Sequence, residues 1–150
     1  GEGGDADGVG DAAQFYNPSG IAISRDGGAL FVADQGGALF VADSGNNKIR
    51  RVEVATGAVT TIAGSGASGS ADGVGDAAEF NSPAGITISP GGSALFVADS
   101  GNNKIRRVEV ATGAVTTLAG SGEEGDADGV GDAAQFQYPY GVAISPDGSA

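Results

Sequence analysis

The sequence contains no cysteine, methionine, tryptophan or histidine. Without cysteine there is no disulfide framework and no thiolate nucleophile, and the redox compartment cannot be inferred from cysteine usage. Without histidine the commonest general base and zinc ligand is missing, which excludes a histidine-held metal centre. No apolar run approaches the length of a membrane span, and no signal-peptide pattern is visible.

Basic residues are also few. Seven lysines and arginines stand against 19 aspartates and glutamates, which gives a net charge of −12. Such a charge repels nucleic-acid phosphates and anionic lipid and favours cationic partners. We therefore expect no nucleic-acid partner and no membrane partner.

What the sequence does contain is a repeat. The stretch Ala38–Gly66 recurs as Ala94–Gly122 with a single difference, Ile62 in the first copy and Leu118 in the second. Self-similarity at a fixed period is typical of supersecondary modules that stack on copies of themselves. The chain is therefore best interpreted as an array of modules.

The segment upstream of each long repeat is copied as well. Gly4–Phe15 recurs letter for letter as Gly125–Phe136, and Ser70–Phe80 is a close copy. The predicted modules are residues 1–65, with a GALFVAD duplication at 28–35 and 37–44, then 66–121, and then a partial module at 122–150.

Each complete module contains four short apolar runs separated by turn residues. In the second module they are Gly85–Ser89, Ala94–Ala98, Lys104–Val110 and Ala114–Leu118. β-Branched residues and Gly-containing turns indicate strands joined as hairpins. The first two runs carry almost no charge and suit inner strands, the third suits a strand nearer the rim, and the fourth suits an outer edge. This pattern predicts an all-β fold of β-propeller blades, each a four-stranded antiparallel meander. A flat β-solenoid usually has shorter repeats.

The module resembles the NHL-repeat family of β-propellers. The likeness lies in F-x-x-P-x-G-I-x-I-S, L-F-V-A-D-S-G-N-N-K-I-R-R-V and T-G-x-V-T-T-L-A-G, and it covers essentially the whole chain. It implies a propeller, usually of six blades, that serves most often as a binding platform. Related six-bladed lyases and lactonases hold a metal in the central channel, but zinc held by histidine cannot be built from this sequence. The copies are more alike than family members usually are, which suggests recent duplication or a consensus design.

About 2.5 blades are present. The inner-strand run occurs three times, at Gly20–Ser24, Gly85–Ser89 and Gly141–Ser145, whereas the third and fourth runs occur twice. An isolated two-blade arc would expose apolar faces and strand edges. One interpretation is a homo-oligomer, a trimer if the ring has six blades, in which Gly141–Ser145 of one chain completes a blade with residues 38–62 of the next. The other is that the chain is part of a longer six-bladed propeller.

Aspartates concentrate in the polar loops that we expect on one face of the blades. Asp126, Asp128 and Asp132 partly resemble a calcium loop, but Gln137 stands where a bidentate Glu should close the shell. We therefore expect no cofactor, with calcium as the alternative at these three residues. Asp43 and Asp99 end a strand before a turn, and we expect each to accept hydrogen bonds from turn amides or to pair with an arginine of the next strand, Arg50 or Arg106. Since neighbours on a strand point to opposite faces, each Arg-Arg pair should be split.

Positions that differ between near-identical copies single out a further site. The differences flank the proline before the inner strand, at the expected mouth of the central channel. Aromatic rings with hydroxyl groups suit recognition of proteins or sugars. The candidate ligand-binding residues are Tyr16, Asn17, Asn81, Tyr138 and Tyr140.

These features predict a non-catalytic propeller scaffold that binds a protein or small ligand through its loop face. Two alternatives stay open. One is a designed or recently amplified propeller-assembly protein with no evolved ligand. The other is a calcium-dependent hydrolase of the lactonase type.

Overall fold

The computed structural model describes residues 3–23 and 37–148. The ten strands in this part of the chain are β1 Gly8–Val9, β2 Pro18–Ile23, β3 Ala38–Asp43, β4 Lys48–Glu53, β5 Ala58–Ala63, β6 Gly73–Val74, β7 Pro83–Ile88, β8 Ala94–Asp99, β9 Lys104–Glu109 and β10 Ala114–Ala119. Short 3₁₀ turns follow β1, β3, β6 and β8, and a fifth lies at Gly131–Ala133. The 28–35 copy of the GALFVAD duplication lies outside the described residues.

The strands form two antiparallel sheets with the same topology. The order is β1-β5-β4-β3-β2 in the first sheet and β6-β10-β9-β8-β7 in the second. The all-β fold and the antiparallel meanders predicted from the sequence are thus confirmed, and each sheet is a propeller blade. The inner strands begin two residues earlier than predicted, because Pro18 and Pro83 already pair with Asp43 and Asp99 at the far end of the neighbouring strand.

The prediction that the fourth strand forms the outer edge is wrong. A fifth, two-residue strand lies outside it, with Gly8 opposite Val59 and Val9 opposite Ala58. The second sheet repeats this with β6 on β10. The outer edge is therefore covered by the polar loop that precedes the inner strand, which leaves fewer backbone groups unpaired.

Local sequence explains the hairpins within each sheet. Alternating β-branched and aromatic residues favour strands, and the turn between β4 and β5 needs a left-handed residue, supplied by Gly57 with φ 69°. Asn47 and Asn103, each with φ 53°, provide the left-handed position after the 3₁₀ turns that link β3 to β4 and β8 to β9. Asparagine tolerates this conformation better than most residues.

The hydrophobic core lies between the two sheets. The first sheet contributes Ala38, Phe40, Ala42, Ile49 and Ala63, the second contributes Ile86, Leu95, Val97, Val108 and Val115, and the loop before β7 contributes Ala78 and Phe80. Phe40 is 1% exposed and Phe80 is 0% exposed. Burial of a phenylalanine of this kind contributes about 1.5–3 kcal/mol, so packing between blades is a principal source of stability.

The third inner run does not form a strand. Residues 141–145, predicted as the strand Gly141–Ser145, have no strand assignment, although they run beside β7. A strand needs a hydrogen-bonded neighbour, and no described residue supplies the counterpart of β3 for this run. The predicted module limits 1–65, 66–121 and 122–150 stay a prediction.

Candidate functional site

Each blade is built around one fully buried arginine. In the first sheet, Arg50 Nη1 lies 2.8 Å from Asp43 Oδ2, and both side chains are 0% exposed. Its Nη2 lies 2.7 Å from Asp7 Oδ1 in the loop that precedes the inner strand. The expected pairing of Asp43 with Arg50 is therefore confirmed, and Asp7 is a partner that the sequence did not indicate.

Backbone carbonyls and an aromatic ring complete the arginine's surroundings. Arg50 donates to the carbonyls of Gln14 at 3.1 Å and Ala6 at 3.0 Å, and its guanidinium lies 5.2 Å from the ring centroid of Phe15. We call the Asp7 carboxylate, the carbonyls of Ala6 and Gln14 and the ring of Phe15 together the arginine seat. In the second sheet the seat is formed for Arg106 by Asp72, Ala71, Glu79 and Phe80.

The third strand lies outside the two inner strands, as expected, and its two arginines differ in burial. Arg50 and Arg106 are both 0% exposed, whereas the side chains of Arg51 and Arg107 are 35% and 36% exposed. Each pair is split between faces as predicted. The charged side chain is buried because its seat, together with Asp43 or Asp99, supplies almost every hydrogen bond that a guanidinium needs. Among the described side chains, the Nε atoms of Arg50 and Arg106 are the buried polar atoms without a partner.

Burial and hydrogen bonding act in opposite directions on the two carboxylates that pair with Arg106. Burial works against ionisation of Asp72, but hydrogen bonds from Thr117 and Arg106 outweigh it, so the pKa of Asp72 lies below its usual value. Burial raises the pKa of Asp99, although Asn102, Asn81 and Arg106 all donate to it. The partly exposed Asp72 is thus the more firmly ionised of the two.

Asp43 and the turn that follows it position the loops of one face. Asp43 Oδ1 accepts from the backbone N–H of Tyr16 at 2.8 Å, and the Tyr16 carbonyl accepts from Gly45 at 2.8 Å. Asn46 Nδ2 reaches Gly4 O at 2.6 Å. The long polar loop and the Asp-Ser-Gly-Asn-Asn turn are therefore held together at the same end of the sheet.

Hydrogen bonds between the blades fix the mouth where the inner strands meet. Asn47 Oδ1 accepts from the N–H of Ser82, and Asn103 Oδ1 accepts from the N–H of Tyr138, both at 2.8 Å. Ser44 Oγ donates to the carbonyl of Pro83 across the same junction. These contacts hold Ser82 and Tyr138 at φ 51° and φ 46°, a strained conformation for such residues.

An open cavity of about 640 Å³ lies at this mouth. Six of its lining residues carry a neutral polar side chain, and no lysine, arginine, aspartate or glutamate of the described residues lines it. Its lining residues are Asn17, Pro18, Ser19, Ser44, Ser82, Ala84, Ser100 and Tyr140. The site is therefore uncharged within a strongly acidic protein.

The structure separates the five sequence-predicted ligand residues. Asn17 and Tyr140 line the cavity, and Tyr140 is 70% exposed. Tyr16 and Tyr138 are exposed outside it, and a hydrogen bond to Glu124 raises the pKa of Tyr138. Asn81 lies outside the cavity too. Its side chain donates to Gly101 O at 3.1 Å and so contacts the Asp-Ser-Gly-Asn-Asn turn of the same blade.

Sequence comparison between copies missed two serines of the lining. Ser44 and Ser100 belong to the Asp-Ser-Gly-Asn-Asn turn, which is the same in both modules. A search for differing positions passes over such residues. Their signal was a small hydroxyl side chain in a loop that ends an inner hairpin.

The candidate calcium ligands are placed in the third copy of the polar loop. Asp132 lies in the 3₁₀ turn Gly131–Ala133, and Asp126 and Asp128 precede it. Within residues 3–23 and 37–148, no group of three acidic, histidine or cysteine side chains is arranged to hold a metal ion. No helix in the same ranges is both long and apolar enough to cross a bilayer.

Comparison with known proteins agrees with this architecture. No profile of a known protein family matches the chain. The chain is 35% identical to NHL repeat-containing protein 2 of Bos taurus over 146 residues, which is 91% of this chain and 19% of that protein. It is 32% identical over 142 residues to the chloroplastic protein SUPPRESSOR OF QUENCHING 1 of Arabidopsis thaliana, 89% of this chain and 12% of that one.

Solved structures show the same fold. An auxiliary nutrient binding protein from Bacteroides thetaiotaomicron matches with a TM-score of 0.63 and 27% identity, over 77% of this chain and 26% of its own. A protein from the same organism that is named as a candidate phosphatase matches with a TM-score of 0.60 over 72% of this chain and 28% of its own. At 21% identity this second likeness shows the fold alone. The chain is a partial β-propeller. It is homologous to NHL repeat-containing protein 2 and spans less than a third of each protein compared.

Proposed function

We propose that the chain is a non-catalytic NHL-type propeller scaffold whose loop face binds a small, uncharged, hydroxyl-rich ligand such as a sugar. The observation that carries the proposal is the neutral cavity at the mouth of the inner strands, lined by Asn17, Ser19, Ser44, Ser82, Ser100 and Tyr140. A protein segment that presents similar groups is the alternative ligand.

The chemistry of the lining supports a neutral ligand. Serine hydroxyls and an asparagine amide both donate and accept hydrogen bonds, so they match ligand hydroxyl groups without requiring a charge. The exposed ring of Tyr140 offers an apolar surface with a polar end, on which a sugar ring can pack. With a net charge of −12, the rest of the protein would disfavour an anionic ligand.

The rigidity of the mouth supports a preformed site. Asn17 and Ser82 are held at φ 49° and φ 51°, and Ser82 is fixed by Asn47 of the other blade. Ligand sites gain affinity when their polar groups are positioned in advance. The comparisons support binding as well, since one structural neighbour is named an auxiliary nutrient binding protein.

Binding is testable with a panel of neutral mono- and disaccharides, screened by saturation-transfer NMR and followed by calorimetry. We expect at least one to bind, and Tyr140→Ala to weaken that binding by tenfold or more, about 1.4 kcal/mol. Tyr16→Ala is the matched control, because Tyr16 is also exposed but does not line the cavity. Equal losses in both variants, or no saccharide binding at all, would contradict a sugar site, and the second result would favour a protein ligand or a chain without an evolved ligand.

The hydrolase alternative has its own test. A lactonase-type enzyme needs a calcium site, and we propose that Asp126, Asp128 and Asp132 do not form one, since Gln137 stands at the closing position. Calorimetric titration with millimolar calcium should show no binding heat. A measurable heat that disappears in Asp128→Asn would instead support the calcium-dependent alternative.

A further inference from the structure

Each blade exposes one apolar face, and the equivalent face of the other blade is buried. Ile21 of the first sheet is 62% exposed, whereas its counterpart Ile86 in the second sheet is 7% exposed. On the opposite face, Phe40 of the first sheet is 1% exposed, whereas Phe96 of the second is half-buried and Leu118 is 48% exposed. The buried members pack against each other in the core. The two open faces are therefore the two halves of one interface.

The first and third copies of the polar loop are interchangeable in sequence but not in surroundings. Gly4–Phe15 and Gly125–Phe136 are identical. In the first copy Gly8–Val9 forms strand β1 on β5, whereas Gly129–Val130 forms no strand. Val130 is 90% exposed, compared with 60% for Val9. The third copy thus has the sequence of an outer strand without a sheet to pair with.

The third copy also carries an arginine seat without an arginine. The counterparts of Asp7, Ala6, Gln14 and Phe15 are Asp128, Ala127, Gln135 and Phe136. Asp128 forms no ion pair with any lysine or arginine of residues 3–23 and 37–148. In the other two copies, the same four positions enclose Arg50 and Arg106.

The third copy of the polar loop is hydrogen-bonded to the sheet that precedes it, a contact that the described part of the first copy lacks. In the third copy, Gly131 O accepts a hydrogen bond from Gly120 N at 3.0 Å, and Ala134 O accepts one from Ser121 N at 2.9 Å. Tyr138 N donates to Asn103 Oδ1. The second copy makes the same three bonds to the first sheet, but the described part of the first copy has no preceding sheet to bond.

We propose that residues 124–148 of one copy dock on β3–β5 of a second copy of this chain, in place of that copy's own residues 3–23. One segment then makes both sets of bonds at once. It keeps its contacts to its own second sheet and fills its seat with Arg50 of the second copy. Residues 3–23 supply the seat for Arg50 but make no bonds to a preceding sheet among the described residues. The exchange also brings the open face of one copy's second sheet against the open face of the next copy's first sheet.

The glycines of the inner strands agree with this arrangement. A Cβ on Gly85 would lie 2.5 Å from Tyr140 O, and one on Gly20 would lie 2.1 Å from Ala84 O, so neighbouring inner strands touch through backbone. Gly141, the third glycine of the series, has open space around it. In the exchanged form Gly141 takes the place of Gly20 beside Ala84 of the second copy, and Tyr138 and Tyr140 take the places of Asn17 and Ser19 at the cavity.

Engineered disulfides distinguish the exchange from the unexchanged form. Val9 is the cross-strand neighbour of Ala58, and Val130 takes that position after exchange. In a glutathione buffer we expect Val130→Cys with Ala58→Cys to give covalent multimers on a non-reducing gel, while Val9→Cys with Ala58→Cys retains free thiols. The chain has no native cysteine to interfere. The opposite pattern, a bond within the chain for the Val9 pair and none for the Val130 pair, would overturn the proposal whether or not the copies associate.

A second matched pair tests the seat itself. Asp128→Ala should weaken association about tenfold or more in a dilution series followed by light scattering, because it removes a charge-assisted hydrogen bond to Arg50. Asp7→Ala should not weaken association and should strengthen it, since Asp7 stabilises only the unexchanged form, from which it is released on exchange. If Asp7→Ala instead lowers stability and Asp128→Ala changes nothing, Arg50 is seated by its own chain and the proposal is wrong.

Discussion

The side-chain oxygen of Asn47 in the first blade accepts a hydrogen bond from the backbone N–H of Ser82 in the second, at 2.8 Å. Asn103 makes the same contact to Tyr138. Both asparagines close a turn within their own sheet in the left-handed conformation and also hold the start of the next inner run. One residue type thus links the folding of a blade to the placement of its neighbour.

Removing this link should loosen the junction without disturbing the turn. Asn47→Gly keeps the left-handed backbone but loses the acceptor for Ser82, and we expect it to cost about 0.5–1.5 kcal/mol in urea denaturation. Asn47→Asp retains the acceptor and should cost less. If the two variants are equally stable, the contact between blades contributes nothing measurable.

The buried arginine should be far more important than its neighbour on the strand. Arg106→Met leaves the Asp99 carboxylate buried without its partner, and we expect a loss of about 3–5 kcal/mol in the free energy of unfolding. Arg107→Ala removes an ion pair with Glu109 in which both side chains are 36% exposed, and it should cost less than about 1 kcal/mol. Denaturation at one fixed protein concentration measures both. Similar losses would show that the seat does not depend on charge pairing.

The close approach of the inner strands should not tolerate a methyl group. In Gly85→Ala the added Cβ would lie 2.5 Å from Tyr140 O and 2.9 Å from Gly141 Cα, so the segment that follows must shift away. We expect a loss of about 1–3 kcal/mol from this overpacking, measured by thermal unfolding. The control is Gly91→Ala, since a Cβ there meets nothing within 4 Å. An unchanged Tm in Gly85→Ala would mean that the inner strands are not in contact in solution.

Stability should fall in acid through the carboxylates of the arginine seats. The pKa of Asp72 is lowered from its ordinary value of 3.8 in the folded state. Its ionised form therefore stabilises the fold above that pH, and this contribution is lost as the pH falls through the folded-state pKa. Asp72→Asn should lower Tm at neutral pH and converge with the parent well below pH 3.8. Asp99, whose pKa is raised, titrates with the opposite sign in both proteins, so it does not affect the comparison. A constant difference in Tm across this range would contradict the assignment.

The strands and the Asp43–Arg50 pair were predictable because their signals are local. Asp43 ends β3, Arg50 lies in the adjacent β4, and a short turn joins the two strands. The second carboxylate, Asp7, was missed because it comes from a loop that is remote in sequence and carries several aspartates with nothing to distinguish them. The two-residue strand β1, which directly follows Asp7, was missed because Gly8–Val9 is too short for a periodic pattern.

The failure at residues 141–145 has a different cause. The run Gly141–Ser145 has the same apolar pattern as Gly85–Ser89, yet a strand requires a hydrogen-bonded neighbour, and the described residues offer none. Likewise, the cavity depends on Ser44 of one blade and Ser82 of the next, which meet only when the blades stack. Sequence patterns describe a blade, whereas the site belongs to the junction between blades.

The mass of the 150-residue chain in solution tests the central claim most directly. Two open apolar faces that match each other should be covered by further copies, so static light scattering after size exclusion should give a multiple of 14.4 kDa. If the ring has six blades, the mass is that of three chains, because each chain supplies two sheets. A mass of one chain, unchanged at the highest soluble concentration, would contradict the account.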